Sequence, residues 1–336
     1  MIKAVIFDYG NVISLPQSLE PAREMERISG IPARVFESVY DKFRHGFDRG
    51  DYTGAQMYAM LMRDAGRDDL ADNRALMEKF AYIDMESWQY MDEAAADWAL
   101  SLQDGGFKLG ILSNIPTEFI DKYGAAIPPF VRADYACFSC REKLIKPERA
   151  IFERVLSALE VAPEEAVFFD DLQENIDGAR NAGIHGILWT SLEQAKADLQ
   201  ALLASVSPLG PGIQAHPTPT VDETNTASAR GSGLLPVFAT PAMIGLMEHT
   251  AACAAAPYLE AGYSTVGTEV RVRHLGATPI GMTVRATAEL IEVDRRRLLF
   301  TVEAFDEAAK IGEGTHERFI VDNGKFLGNL ARNKKL

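Results

Sequence analysis

The chain has 336 residues, 47% of them hydrophobic and 24% charged, with a formal net charge of −14. Globular domains run to roughly 100–200 residues, so this length predicts two domains, each able to bury its own core. The acidic balance excludes a nucleic-acid binder, whose surface needs clustered Lys and Arg to meet phosphates. The charge is also unevenly shared: residues 1–208 hold 34 acidic and 21 basic side chains, net −13, whereas residues 209–336 hold 14 and 13, net −1.

The opening Met1-Ile2-Lys3-Ala4-Val5-Ile6-Phe7-Asp8 turns polar too soon for a signal peptide. No apolar run approaches the ~20 residues that cross a bilayer, and a cytoplasmic protein is the expectation. Three cysteines (Cys137, Cys140 and Cys253) make no disulfide framework. The Cys137-x-x-Cys140 pair reads as part of a strand. It lacks a second ligand pair for zinc and a helix N-terminus for redox chemistry, so two buried thiols are expected.

In chain order, short apolar runs at 4–7, 109–113, 166–170 and 186–189 alternate with helical segments. Continuous apolar strands separated by helices predict a doubly wound parallel α/β sheet covered on both faces. Residues 16–86 read as helical throughout and lie between the first two strands, as an inserted cap spanning about 16–90. Four of the sixteen prolines fall between Leu203 and Thr220, a density that stops helices and central strands and marks a linker at 206–220. The domains are therefore expected at 1–205 and 212–336. The second reads as α+β, with one helix at 241–259 and strands at 265–273, 280–293, 297–306 and 311–321.

Asp8 closes the first strand and is followed by Tyr9-Gly10-Asn11-Val12. A carboxylate there sits at the strand edge where open α/β sheets bind ligands. The next strand ends in Ser113-Asn114, a later segment offers Lys146-Pro147, and a further strand ends in Asp170-Asp171. Three carboxylates on one edge repel, which a hard cation such as Mg²⁺ would relieve. A nearby lysine can steady an anionic nucleophile and a phosphoryl oxygen.

With these four motifs the first 200 residues resemble the haloacid-dehalogenase superfamily, in the subgroup with a helical cap after the first strand. The resemblance implies that Asp8 attacks phosphorus and forms an aspartyl-phosphate. It also implies that Ser113 and Lys146 steady the phosphoryl group, with Asn114 beside them on the substrate. Mg²⁺ would be bound by Asp8, the Gly10 carbonyl position and Asp170 or Asp171. One departure is evident. Most phosphatases of the superfamily carry a second aspartate two residues after the nucleophile as general acid and base, and here that position is Gly10. Such assistance is typically ~10²–10⁴-fold. In the cap, Arg44, Asp48 and Arg49, with Gly46 and Gly50, are candidate specificity residues, or a solvated helix end.

In the rear domain Thr240-Pro241 opens a helix, threonine suiting the N-cap and proline the first helical position. The helix is apolar nearly all round, so burial inside a curled sheet is expected. Glu248 is anomalous within it, because a buried carboxylate is costly unless paired or functional. His274 closes the strand Arg271-Val272-Arg273. A carboxylate, a histidine and a threonine hydroxyl can together activate water or a nucleophile for acyl transfer, while a helix-end salt bridge of Glu248 is the plainer alternative. Arg295-Arg296-Arg297 reads as a hairpin turn or as a contact for coenzyme A phosphates.

From about residue 212 to 327 the chain resembles hot-dog-fold acyl-CoA thioesterases, an antiparallel sheet around one long helix, in the group containing the fluoroacetyl-CoA thioesterases. The matching segments are Pro236–Thr240, Gly245–Glu248, Val266-Gly267-Thr268, Val272-Arg273-His274 with Ala277-Thr278-Pro279, and Gly312–Arg318. The resemblance implies Thr240, Glu248 and His274 as the catalytic set, the Gly267 amide near the thioester oxygen, no cofactor, and a homodimer with sites between subunits. Leu234-Leu235 stands where fluoroacetyl-specific members carry an aromatic gate, which points to a broader acyl-CoA. His316 is expected to be a strand histidine satisfied by its neighbours. Three readings follow: a bifunctional hydrolase acting on a phosphorylated small molecule and an acyl-CoA, a thioesterase whose front domain is a binding or assembly module, or a non-catalytic acyl-CoA sensor.

Overall fold

A computed structural model of the chain describes residues 1–334, apart from the side chains at 33, 34, 36–38 and 334. The last two residues of the expected second domain lie outside the described residues. The chain forms two compact units, one built from 2–100 with 108–195 and the other from 101–107 with 196 onward.

The first unit carries a parallel sheet of β1 (Ala4–Phe7), β2 (Lys108–Ser113), β3 (Tyr135–Phe138), β4 (Ala166–Asp170) and β5 (His185–Leu188), in the order β3-β2-β1-β4-β5. Every residue of β1 and β4 is buried, as expected of central strands covered on both faces. Between β1 and β2 come the cap helices α1 (Glu20–Ser29), α2 (Ala33–Asp48), α3 (Gly54–Asp64), α4 (Asp68–Ala71) and α5 (Arg74–Ser87), followed by α6 (Glu93–Asp104). The cap has its own core, including Met57, Tyr58, Leu61, Met62 and Phe80. Thr53 starts α3 with a capping box closed by Gln56, which satisfies two otherwise orphaned N–H groups. The remaining helices are α7 (Thr117–Tyr123), α8 (Pro128–Arg132), α9 (Ser139–Glu142), α10 (Arg149–Leu159), α11 (Gln173–Asn181) and α12 (Leu192–Val206).

The cysteine pair departs from its expected setting in one respect. Cys137 lies on β3, but Cys140 lies in the short helix α9 rather than on the strand. Both are buried, and burial pushes the Cys137 thiol up to about 12 and raises that of Cys140. Reactive thiolates need the opposite shift.

The second unit contains β6 (Gln214–Ala215), α13 (Thr240–Ala255), β7 (Tyr263–His274), β8 (Arg285–Asp294), β9 (Arg297–Phe305), β10 (Lys310–Asp322) and α14 (Asn323–Lys334). Its sheet runs β6-β8-β9-β10-β7 with antiparallel pairs, and α13 packs on one face. This is the hot-dog arrangement. Leu298, Phe300, Val302 and Ala304 alternate inward on β9 to meet Met243, Met247, Ala251 and Ala254 of the helix. Burying a side chain the size of Phe300 is worth about 1.5–3 kcal/mol. Small residues on both α13 and β8 let the helix lie close to the strands.

Two expectations change here. α13 is not enclosed all round: Thr240, Pro241, Gly245 and His249 are exposed on one side. The expected linker at 206–220 is also partly sheet. From Gly212 the backbone runs along β8, Gly212 N–H donating to Leu290 and Ile213 accepting from it. The Pro217 and Pro219 carbonyls accept from Ala286 and Val284. Proline is tolerated at such an edge because only its carbonyl is needed. Among the described residues no helix is long and apolar enough to cross a membrane.

Candidate active sites

In the first unit β2 flanks β1 on one side and β4 on the other, so the strand order turns at β1. That is where ligands bind in open α/β sheets. Asp8 follows β1, Ser113 ends β2 and Asp170 ends β4. Lys146 joins them. Its Nζ lies 2.9 Å from Asp8 Oδ1 and 2.6 Å from Asp170 Oδ2, and its side chain is 1% exposed. Burial penalises this ammonium, but the two carboxylates outweigh the penalty and hold Lys146 above its usual value. Burial pushes the Asp8 carboxyl up, with Lys146 pulling against it and Asp170 and Asp171 adding to it. Asp8 Oδ1 also accepts from the Tyr9 N–H at 2.7 Å, which fixes the carboxylate's orientation.

Asp170 is saturated by the protein: it accepts from Lys146, from Asn175 Nδ2 and from the Leu172 N–H. Half-buried Asp171 accepts from Asn11 Nδ2 at 2.9 Å. Asp8, Asp170 and Asp171 bring carboxylate oxygens within 4.8 Å of one another. One ammonium does not neutralise three carboxylates, and oxygen donors so grouped suit a hard cation such as Mg²⁺. Asn114, expected beside the substrate, lines the cavity over this edge and also braces the lysine. Its Oδ1 accepts from the Lys146 N–H at 2.9 Å and its Nδ2 donates to the Lys146 carbonyl at 3.0 Å, so it positions the lysine loop.

Above this edge lies a cavity of about 480 Å³. Its floor holds Asp8, Ser113, Lys146 and Asp171, and its roof is the cap. Arg44 and Asp48 are in the roof rather than at a solvated helix end, paired at 2.6 Å. Arg49 is not, since it pairs with Asp51 instead. The sequence reading missed three roof residues. Tyr40 donates from its hydroxyl to Asp84 Oδ2 at 3.0 Å and meets Arg44, and Trp88 lies over Gly10. The usable signal was the spacing Tyr40, Arg44, Asp48, one polar stripe at i, i+4, i+8 on a single helix. A Cβ built on Gly10 would meet the Trp88 ring at 3.7 Å, an ordinary contact, so the backbone there leaves room for a Cβ.

In the second unit Thr240 is not the N-cap. Ala239 caps without a side-chain bond and Thr240 is the first helical residue. The hydroxyl is thereby left for His274, whose Nδ1 lies 2.8 Å from Thr240 Oγ1. The other ring nitrogen of His274 is buried and meets no partner among the described residues. Glu248 does not join this pair. Eight residues along α13 it lies about 12 Å further up the axis, with its side chain 40% exposed rather than buried. Its neighbours are Gly267, where a Cβ would come within 2.7 Å of Glu248 Oε1, and His316, whose Nε2 is 3.9 Å away. A side chain at 267 would push that carboxylate aside and crowd the His316 ring.

His316 is satisfied by neighbours: its Nδ1 meets the Glu269 carbonyl at 2.8 Å and its Nε2 meets Arg318 at 3.0 Å. Because the guanidinium can only donate, Nε2 accepts and Nδ1 carries the proton. Burial lowers the pKa of His316. At the β8–β9 hairpin Arg295 and Arg296 form an exposed two-residue tip, with Arg295 at φ 56°, whereas Arg297 is paired with Glu292 and Glu317.

Two unrelated folds, each presenting polar groups where cleavage of a bond by water requires them, make this chain a fusion of two hydrolase-type domains. Comparison with known families agrees: the chain belongs to the haloacid dehalogenase-like hydrolases through residues 2–183 and to the fluoroacetyl-CoA-specific thioesterase family through residues 221–324. It is 48% identical over 96 residues to the fluoroacetyl-CoA thioesterase of Streptantibioticus cattleyicolor, covering 29% of this chain and 69% of that protein. It is 24% identical over 223 residues to bifunctional epoxide hydrolase 2 of Rattus norvegicus, covering 62% of this chain but only 40% of the relative. A solved structure of a fluoroacetyl-CoA thioesterase aligns at 38% identity over 38% of this chain and 98% of its own, with a TM-score of 0.36.

Proposed function

We propose that the protein is a bifunctional hydrolase, an Mg²⁺-dependent phosphomonoesterase in front and an acyl-CoA thioesterase behind, assembled as a homodimer. The phosphatase reading rests on the buried Lys146 bridging Asp8 and Asp170. Asp8 forms the bond to phosphorus as the ester oxygen departs as the alcohol, taking its proton from solvent because Gly10 supplies none. Water then attacks the aspartyl-phosphate, releasing inorganic phosphate and restoring the carboxylate. Lys146 and Ser113 hold the phosphoryl oxygens. Mg²⁺ would offset negative charge on the phosphoryl group, and Asp8 and Asp171 would hold it, since Asp170 is committed to Lys146 and Asn175.

The thioesterase reading rests on the Thr240–His274 bond. In this reading the hydroxyl and imidazole serve one end of the site, and Glu248 with the Gly267 backbone serves the other. A homodimer is what unites them, because one chain holds them apart. The unusual residues at 234–235 favour an acyl group broader than fluoroacetyl.

Assays of p-nitrophenyl phosphate with Mg²⁺ and of an acyl-CoA panel test both halves. Asp8→Asn is expected to abolish only the phosphatase, by at least ~10⁴-fold. Glu248→Ala is expected to cost only the thioesterase, by ~10²–10⁴-fold. Wild-type protein inert toward phosphate esters would leave the front domain a binding module.

A further inference from the structure

The roof of the front cavity contains polar atoms that the proposed phosphatase chemistry does not use. Asp48 is 4% exposed, and its Oδ2 accepts from Arg44, but its Oδ1 is buried with no hydrogen-bond partner among the described residues. Trp88 Nε1 is likewise buried and without a partner among them. Both residues line the cavity. Leaving a buried acceptor and a buried donor unmade is costly, and such atoms in residues that line a cavity point to a ligand that completes them as the cap adjusts around it.

The two atoms are held at fixed places relative to the nucleophile. The Trp88 carbonyl accepts from the Tyr9 hydroxyl at 2.8 Å, and its ring lies over Gly10, two residues from Asp8. The Asp48 carbonyl accepts from the Ser139 hydroxyl at 2.5 Å. The roof's arginine is already committed. Arg44 gives Nε to Asp48, gives Nη1 to the Tyr40 hydroxyl, and stacks 5.9 Å from the Trp88 ring. Asp84 beside it accepts from Tyr40 and Gln17. A second anionic group on the substrate would meet carboxylates here and an arginine that is taken, whereas a hydroxyl can donate to Asp48 and accept from Trp88. Burial also holds the Asp48 carboxyl up at about 6 against the pull of Arg44.

We propose that the cap roof is a hydroxyl-reading subsite, and that the ester cleaved at Asp8 carries an uncharged, polyhydroxylated leaving group of the sugar or alditol class. One hydroxyl donates to Asp48 Oδ1 and another accepts from Trp88 Nε1. This rests on the phosphatase reading above and names the substrate class of that same site.

The test compares kcat/KM of the full chain with Mg²⁺ for ribitol 5-phosphate, n-pentyl phosphate and p-nitrophenyl phosphate, in wild type, Trp88→Phe and Asp48→Asn. Wild type is expected to prefer ribitol 5-phosphate over n-pentyl phosphate by at least ~10-fold, about one good hydrogen bond. Each variant is expected to shrink that ratio about 5- to 10-fold. Asp48→Asn also weakens the Arg44 ion pair, and Trp88→Phe provides the variant that leaves that pair in place and keeps an aromatic face beside Arg44. A ratio near one in wild type, with p-nitrophenyl phosphate still hydrolysed, would overturn the subsite and spare the phosphatase. A ratio unmoved by either variant would do the same. Failure to hydrolyse any of the three esters would overturn the phosphatase reading and the subsite with it.

Discussion

Around Asp8 almost every charged group is held by another part of the same unit: Lys146 by two carboxylates and by Asn114, Asp170 by three donors, Asp171 by Asn11. Around Thr240 the pattern is reversed. His274 has one bonded nitrogen and a buried one with no partner among the described residues, Glu248 is 40% exposed, and one side of α13 faces solvent. The difference follows from desolvation. A cluster of buried charges must be compensated as the domain folds, because each uncompensated ion costs several kcal/mol. Thr240 and Glu248, on the open side of the helix, bear no such penalty and can wait for a second surface. The charged groups of the first site are compensated within one chain, and the second is left for the proposed homodimer to complete.

The largest effect that would break this comparison comes from mixing variants. Thr240→Ala and Glu248→Ala are each expected to lower thioesterase kcat by ~10²–10⁴-fold. If the two groups meet across a two-fold axis, refolding the variants together restores about a quarter of wild-type activity, since half the dimers then hold one intact site. No recovery on mixing would place the whole site in one chain. A smaller effect sharpens the front half. Gly10→Asp adds the missing acid where Trp88 leaves ordinary contact distance, and phosphatase kcat is expected to rise at least ~10-fold, within the range of general acid assistance. Asp8→Asn in the same background should erase that gain.

The smallest effect concerns pH. His316 has a folded pKa below its ordinary value of 6.5 because it is buried, so the folded state binds fewer protons than the unfolded one. Its contribution to stability is present above that ordinary value and is lost as pH falls through the folded one. Thermal unfolding of the thioesterase domain should therefore ease below about pH 6.5, and His316→Asn should flatten that dependence.

The parallel sheet and its edge were legible because strands buried on both faces are written as unbroken apolar runs, with the chemistry placed at their ends. Asp8, Ser113, Lys146 and Asp170 lie together as that reading implies. The cap roof was not legible. Tyr40 and Asp84 are 44 residues apart on two helices, and only packing of those helices brings them together. The bonds of Asn114 to the Lys146 backbone were not legible either, because an amide at a strand end looks the same whether it faces a substrate, the next loop or both. Thr240 was taken for a cap because threonine before proline so often is one. The backbone instead begins the helix one residue earlier, and the hydroxyl is free for His274. Glu248 was expected to be buried because the helix is apolar all round, a pattern that equally describes a helix with one side reserved for a partner.

The segment along β8 has a practical consequence. The family match to the rear domain starts at residue 221, yet the β8 edge is paired from Gly212 onward. A fragment cut at 221 strips that edge and bares a row of backbone donors and acceptors, a ready template for strand-to-strand aggregation. A fragment begun at or before Leu209, which packs against the same core, carries its own edge protection with it.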